Sequence, residues 1–110
     1  MAAKSKDFDR LLLVSIDEAL LSLGASARLS IYFHLEKNFK VRKDEIPENL
    51  ERFQMALEKI FGIGSRYIEI LIMKSLYAKV GFSQRMEKNE QLEFIKYVNA
   101  ARQNFTLGKP

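Results

Sequence analysis

The sequence predicts an all-α fold, a compact bundle of about five helices joined by short connections. Apolar residues recur at three- and four-residue spacing in separate segments along the chain. Only two prolines and five glycines interrupt the 110 residues, and no alternating strand pattern extends beyond a few positions. We therefore expect one helical domain over residues 1–110, with frayed ends at 1–5 and 106–110 and a linker at 83–88.

The first helix is predicted over residues 6–23, and a glycine and a serine mark the passage to the second. Its apolar stripe consists of Phe8, Leu12, Ile16, Ala19, Leu20 and Leu23. Gly24 suits a left-handed cap at the end of this helix, and Ser26 can cap the next one with its hydroxyl. The second helix ends near residues 38–40. Its stripe contains Ala27, Ile31, Leu35 and Phe39, widened by Tyr32 and Phe33.

A proline introduces the third helix, predicted over residues 48–61. The residue before proline avoids helical geometry, so we expect Ile46 to be extended and the helix to begin at Pro47 or just after it. The residues expected to face the core are Leu50, Phe53, Leu57, Ile60 and Phe61. The run Gly62-Ile63-Gly64 then ends the helix.

The fourth helix is predicted over residues 65–80, with Ser65 as its cap and Gly81 as its terminator. Apolar residues cover most of its circumference, which is typical of a helix at the centre of a bundle. A fifth helix is predicted over residues 89–105, starting from a cap at Asn89.

Residue counts exclude most catalytic chemistry. The chain has no cysteine, so disulfides, thiolate metal sites and cysteine nucleophiles are excluded, and His34 is its single histidine. Asp17 and Glu18 are adjacent on a helix and point about 100° apart, so they cannot act as paired acids. P-loops, calcium loops and nucleophile elbows are absent. We therefore predict a protein that is not an enzyme and has no metal or cofactor.

The chain carries no recognisable targeting signal. Its N-terminus is polar and charged, and its apolar runs are far shorter than the ~18 residues that a membrane span needs. We therefore expect a soluble, cytoplasmic protein without membrane contact.

The segment 57–71, which contains two glycines around an isoleucine, resembles the helix-hairpin-helix element of DNA-binding proteins. In that family the backbone amides of the turn point at a DNA phosphate. The residues that the resemblance assigns to phosphate or DNA contact are Gly62, Ile63, Gly64, Ser65 and Arg66. Phe61 replaces the preferred proline, and Ile68 replaces a preferred small residue.

An ordinary helix–helix turn is the alternative interpretation of the same residues. Gly62 would then cap the third helix, Ile63 would make the hydrophobic contact that follows such a cap, and Ser65 would cap the fourth helix.

The net charge of +4 lies in the last part of the chain. Residues 1–40 have a balance of +1 and residues 41–64 a balance of −1, whereas residues 65–110 hold eight basic and four acidic side chains. The basic ones are Arg66, Lys74, Lys79, Arg85, Lys88, Lys96, Arg102 and Lys109. This basic half could bind nucleic acid or an acidic partner.

Some apolar residues exceed what one buried face of each helix needs. They are Leu13, Val14, Leu21, Phe94 and Tyr97. Such residues predict a surface for a protein partner or for a homo-oligomer. A third hypothesis is an apolar pocket for a small molecule between the second and fourth helices, lined by Tyr32 and Tyr77.

Four blocks in a fixed order resemble a small archaeal helical domain, the Nitrosopumilus output domain of type five (NitrOD5-like). The blocks are IYFHLEKNF at 31–39, DEIPEN at 44–49, ALEKIFG at 56–62, and residues 68–82. The resemblance spans roughly residues 8–82 and leaves out the last helix. It implies a regulatory or interaction role, because domains of that family stand alone or follow signalling modules, and it implies no catalytic residues.

Overall fold

Five α-helices and two short 3₁₀ helices make up the part of the chain that the computed structural model describes, residues 2–81 and 93–106. In chain order they are α1 (Ala2–Leu21), α2 (Ala25–Phe39), a 3₁₀ helix (Lys43–Glu48), α3 (Leu50–Phe61), a second 3₁₀ helix (Gly62–Gly64), α4 (Ser65–Val80) and α5 (Phe94–Thr106). These residues contain no strand, so the predicted all-α bundle is confirmed.

Helices α1 and α4 form the centre of the bundle and pack most extensively against each other. Helix α5 packs against both of them, whereas α2 packs against α1 and α3 but not against α4. The central position predicted for α4 is confirmed. The largest fully buried side chains are Phe8, Leu12, Ile16, Leu20, Leu35, Ile46, Phe53, Leu57, Ile68, Ile72, Met73 and Phe94.

Hydrogen bonds of Gly24 define the junction between α1 and α2, and the helix ends at this junction differ from the predicted ones. Helix α1 begins at Ala2 rather than near residue 6 and ends at Leu21 rather than at residue 23. The Gly24 N–H donates to the Leu21 carbonyl at 2.8 Å, and the Gly24 carbonyl accepts from Arg28 at 3.0 Å. Helix α2 therefore starts at Ala25, and the cap predicted at Ser26 is wrong because that residue already lies inside the helix.

Ile46 and Pro47 lie inside the 3₁₀ helix Lys43–Glu48, so the predicted extended geometry of Ile46 is wrong. Both residues are buried, and the packing of this segment outweighs the local preference of a residue before proline. The Arg42 N–H donates to Glu45 Oε1 at 3.0 Å at the start of this helix. Helix α3 consequently begins at Leu50, two residues after the predicted start at Glu48.

Two further expectations about burial are wrong. Ile60, predicted to face the core from α3, is exposed, and so is Phe33 on α2. The predicted linker 83–88 and the predicted cap Asn89 lie outside the described residues, and so does most of the terminal segment 106–110. Within residues 2–81 and 93–106, no helix is both long enough and apolar enough to cross a bilayer.

Asp17 joins three elements of the fold. Its carboxylate accepts hydrogen bonds from Arg28 Nη1 at 3.0 Å, from the Tyr32 hydroxyl at 3.0 Å and from Lys43 Nζ at 3.2 Å. Burial alone would raise the pKa of Asp17, but the hydrogen bonds from Tyr32 and Lys43 and the charges of Lys43 and Arg28 outweigh it and lower that pKa. The ionised Asp17 carboxylate therefore links α1 to α2 and to the first 3₁₀ helix through hydrogen bonds.

Candidate functional site

The corner between α3 and α4 contains the residues that the sequence singled out. Gly62 has φ 60° and ψ −133°, and its N–H donates to the Glu58 carbonyl, which confirms Gly62 as the cap of α3. Residues with a side chain rarely adopt this backbone conformation. Gly64 has ordinary helical angles, φ −66° and ψ −14°. A Cβ added at Gly64 would lie 3.8 Å from the Phe61 Cβ, an ordinary contact, so only Gly62 requires glycine at this corner.

Ser65 is the first residue of α4 and is buried. No side-chain hydrogen bond caps this helix, so the prediction of Ser65 as its cap is wrong. The Ser65 N–H donates to the carbonyls of Gly62 and Ile63. The 3₁₀ geometry of the turn thus satisfies an amide that a phosphate-binding turn would have to offer to its ligand.

A cleft of about 260 Å³ opens at this corner. Its lining consists of Gln54, Glu58, Gly62, Ile63, Ser65, Arg66 and Glu69. The structure therefore brings four of the five residues predicted for phosphate contact to one cleft and leaves Gly64 outside its lining. It also adds two carboxyl groups, Glu58 and Glu69, that the sequence reasoning did not include in this site.

Glu69 is the unusual residue of the cleft. It is only 2% exposed, and its Oε2 is buried without a hydrogen-bond partner. The pKa of the Glu69 carboxyl is raised to about 7, chiefly by burial and also by the charge of Glu58, although a hydrogen bond from Gln54 and the charge of Arg66 lower it. The cleft is therefore lined by a carboxyl group whose pKa lies near neutral pH.

Three apolar side chains lie exposed around the same corner. Ile63 is 87% exposed and Tyr67 is 62% exposed, and Ile60 is exposed as well. The hydrophobic contact predicted for Ile63 is therefore wrong, because this side chain points away from the core. Ile60 lies in the last turn of α3, Ile63 in the 3₁₀ helix Gly62–Gly64 and Tyr67 in the first turn of α4, so all three belong to this corner. We call Ile60, Ile63 and Tyr67 the corner patch.

The apolar residues predicted to form an interaction surface differ in their exposure. Val14 and Leu21 are exposed on α1, where a spacing of seven residues puts them on one face. Leu13 is half-buried against the core, and so is Tyr97. Phe94 is fully buried, with its ring centroid 6.3 Å from that of Phe53, so its assignment to a surface is wrong.

Two cations of the basic half are paired with carboxylates of α1. Lys79 Nζ lies 2.6 Å from Glu18 Oε1, and Arg102 Nη1 lies 2.8 Å from Asp9 Oδ1. The exposed cations among the described residues of this half are Arg66, Lys74 and Lys96, and the predicted contributions of Arg85, Lys88 and Lys109 lie outside the described residues. Ion pairing across to α1 therefore weakens the basic character that the sequence assigns to this half.

The small-molecule pocket predicted between the second and fourth helices is wrong, because α2 and α4 do not pack together within the described chain. The Tyr32 hydroxyl donates to Asp17 on α1, and the Tyr77 hydroxyl donates to the Tyr97 carbonyl on α5 at 3.0 Å. His34 is exposed, and its Nδ1 lies 3.0 Å from the Asn38 amide nitrogen.

A larger depression, of about 730 Å³, lies between the end of α2 and the start of α3. None of the buried unpartnered polar atoms of the described chain lies in its lining, in contrast to the Glu69 cleft. Across residues 2–81 and 93–106, no three His, Asp or Glu side chains come together in an arrangement that could hold a metal ion.

No protein-family model, curated protein or solved structure matches this chain. The resemblances to the NitrOD5-like family and to the helix-hairpin-helix element therefore stay predictions.

Proposed function

We propose that this chain is a non-enzymatic binding module, with a regulatory role in the cytoplasm, that recognises a protein partner through the corner between α3 and α4. One observation carries the proposal: an exposed apolar patch borders a cleft lined by Glu69, whose carboxyl group has a buried oxygen without a partner. Both features are unfavourable in an isolated domain, and both would be relieved by the same contact.

The corner patch supports the proposal through the energy that its burial would release. Ile63 contributes almost nothing to the core of the domain, since most of its side chain faces water. Burying an isoleucine side chain is worth about 1.5–3 kcal/mol, and aromatic residues such as Tyr67 are enriched where proteins meet. These two side chains can therefore supply a large share of the binding free energy of a small interface.

Helix α2 carries a second exposed apolar pair, which serves as a matched comparison. Leu29 is 65% exposed and Phe33 is 58% exposed, about as much as the residues of the corner patch. Lys37 Nζ lies 5.4 Å from the centre of the Phe33 ring, and the His34 ring meets the same ring edge-on. Phe33 thus has partners on its own helix, and neither member of the pair lines the cleft of Glu69.

Selection from a random peptide library on the immobilised protein tests the proposal. Peptides selected on the wild type are expected to lose at least about tenfold in affinity for the Ile63→Ser/Tyr67→Ser variant, equivalent to about 1.4 kcal/mol. The Leu29→Ser/Phe33→Ser variant, which removes a similar apolar area elsewhere, is expected to bind within about twofold of the wild type. Failure to enrich any peptide, or equal losses in the two variants, would contradict the proposal.

DNA binding through the turn Gly62–Gly64 and Arg66 is the alternative function, supported by the exposed guanidinium beside the turn. The carboxyl groups of Glu58 and Glu69 in the same cleft oppose a phosphate ligand. The alternative expects duplex DNA to bind with a steep dependence on salt, and it expects Arg66→Glu to weaken that binding. An absence of binding at low salt, or an unchanged affinity of the variant, would exclude it.

A further inference from the structure

The cleft at the corner between α3 and α4 is lined by a carboxyl group that has one oxygen without a hydrogen-bond donor. Glu69 Oε2 is buried and accepts no hydrogen bond, although a carboxylate has room for several. Leaving such an oxygen unpaired is unfavourable, and more so when the group is charged. A ligand that brings a hydrogen-bond donor to this oxygen would remove that cost.

The charges that line the cleft select the sign of the ligand. Glu58 and Glu69 contribute two carboxyl groups, and Arg66 contributes one guanidinium. The sum is −1 when Glu69 is ionised, so the cleft favours a cation over an anion. Arg66 is exposed and leaves Glu69 Oε2 unpaired, so it does not fill the place of that cation.

The neighbourhood of the cleft selects the kind of molecule that carries the cation. Ile63 belongs both to the cleft lining and to the corner patch, and Tyr67 follows it by one helical turn. A free metal ion or a small amine would leave this apolar surface exposed to water. A peptide segment with a basic side chain between apolar neighbours would cover both features together.

We infer that the cleft beside Glu69 receives an arginine side chain of a partner protein, with apolar residues next to that arginine covering Ile63 and Tyr67. The inference rests on the proposed function, because it specifies the partner that the same corner binds. Arginine suits the site better than lysine, because its guanidinium stays charged on burial and presents five donors in a planar fork. Its hydrogen bonds with a carboxylate are charge-assisted and therefore among the stronger ones.

Two synthetic peptides test the inference on the full chain: acetyl-Leu-Arg-Leu-amide and the same peptide with citrulline in place of arginine. Citrulline has nearly the shape of arginine but no charge, so the comparison isolates the guanidinium without altering the protein. Titration of the ¹⁵N-labelled protein by NMR is expected to shift the resonances of residues 54–69 with both peptides. The arginine peptide is expected to bind at least about fivefold more tightly, since its charge-assisted bond is worth more than a neutral one.

Variants of the protein identify the carboxyl group responsible. Glu69→Gln keeps the shape of the side chain, removes its charge, and is expected to abolish the preference for arginine over citrulline. Glu51→Gln removes an exposed carboxylate that does not line this cleft, and is expected to retain the preference. The Glu51 variant thereby controls for the change in net charge.

The outcomes separate the inference from the proposed function. Equal affinity of the two peptides at the corner would overturn the inference and leave the proposed function intact. Binding of neither peptide, or an arginine preference that survives Glu69→Gln, would also overturn the inference. The proposed function is decided independently, by the peptide selection with the corner-patch variant.

Discussion

Stability should depend on pH through Glu69, and Glu69→Gln is the perturbation that reveals it. The folded chain holds the Glu69 pKa at about 7, against 4.5 for an ordinary glutamate. Between these two pH values the folded state binds a proton that the unfolded state has lost. The contribution of Glu69 to stability is therefore fully present below pH 4.5 and is lost as the pH rises to about 7.

The size of this loss follows from the two pKa values. They lie about 2.5 pH units apart, and each unit is worth ~1.4 kcal/mol for one proton, so the full loss is about 3–4 kcal/mol in free energy of unfolding. Other groups change stability in the opposite direction, since Asp17 and Glu18 have lowered pKa values and stabilise the fold as the pH rises. Asp17 and Glu18 titrate in both the wild type and Glu69→Gln, so their contributions cancel in the difference between the two free energies of unfolding. The pH dependence of that difference therefore reports Glu69, because glutamine does not titrate.

Urea denaturation followed by circular dichroism between pH 4.5 and pH 8 measures this difference. We expect Glu69→Gln to gain about 3 kcal/mol relative to the wild type over that range. Glu51→Gln removes an exposed carboxylate that does not line this cleft and is expected to follow the wild type closely. A difference between wild type and Glu69→Gln that does not change with pH would refute the reasoning, because it would mean that Glu69 titrates alike in the folded and unfolded chains.

Three further predictions concern the fold and its surfaces. Asp17→Ala is expected to lower the free energy of unfolding by about 2 kcal/mol, since it removes the acceptor of three donors; a urea midpoint close to that of the wild type would disprove this. Gly62→Ala is expected to cost about 2 kcal/mol in thermal unfolding through its backbone conformation, whereas Gly64→Ala should cost nothing, and equal losses would be inconsistent with the geometry of the turn. If the exposed face of α1 mediates homo-oligomerisation, light scattering will show a dimer of the wild type and a monomer of Val14→Ser/Leu21→Ser; a monomeric wild type at high concentration excludes the dimer.

The helical pattern could be predicted from the sequence because burial repeats with the period of the helix. Most of the predicted stripe of α1 is buried, from Phe8 to Leu20, and α4 lies at the centre of the bundle as its apolar circumference indicates. Helix ends were harder to predict, because the cap residues compete with other solutions. At the starts of α2 and α4, backbone hydrogen bonds of Gly24 and of the 3₁₀ helix Gly62–Gly64 replace the capping bonds predicted for the hydroxyls of Ser26 and Ser65.

The site could be predicted only in part. The double glycine identified the correct corner, since Gly62 does adopt a positive φ and four of the five predicted residues line one cleft. Glu69 was missed because a single glutamate on a mostly apolar helix has no periodicity of its own. Its position between Ile68 and Ile70 was the available signal, but only the packing of α3 against α4 decides that this carboxyl group is buried. Ile63 illustrates the converse, an apolar residue that local structure turns outward.

The titration of the Glu69 side-chain carboxyl carbon by ¹³C NMR, in the free protein and with saturating acetyl-Leu-Arg-Leu-amide, tests the central claim most directly. Gln54 and Glu58 from α3 and Arg66 from α4 are the polar and charged groups that face Glu69 and affect its titration. We expect a midpoint near pH 7 in the free protein, and a lower midpoint in the complex because the bound guanidinium stabilises the carboxylate. A midpoint near 4.5 in the free protein, or the same midpoint with and without the peptide, would contradict the account.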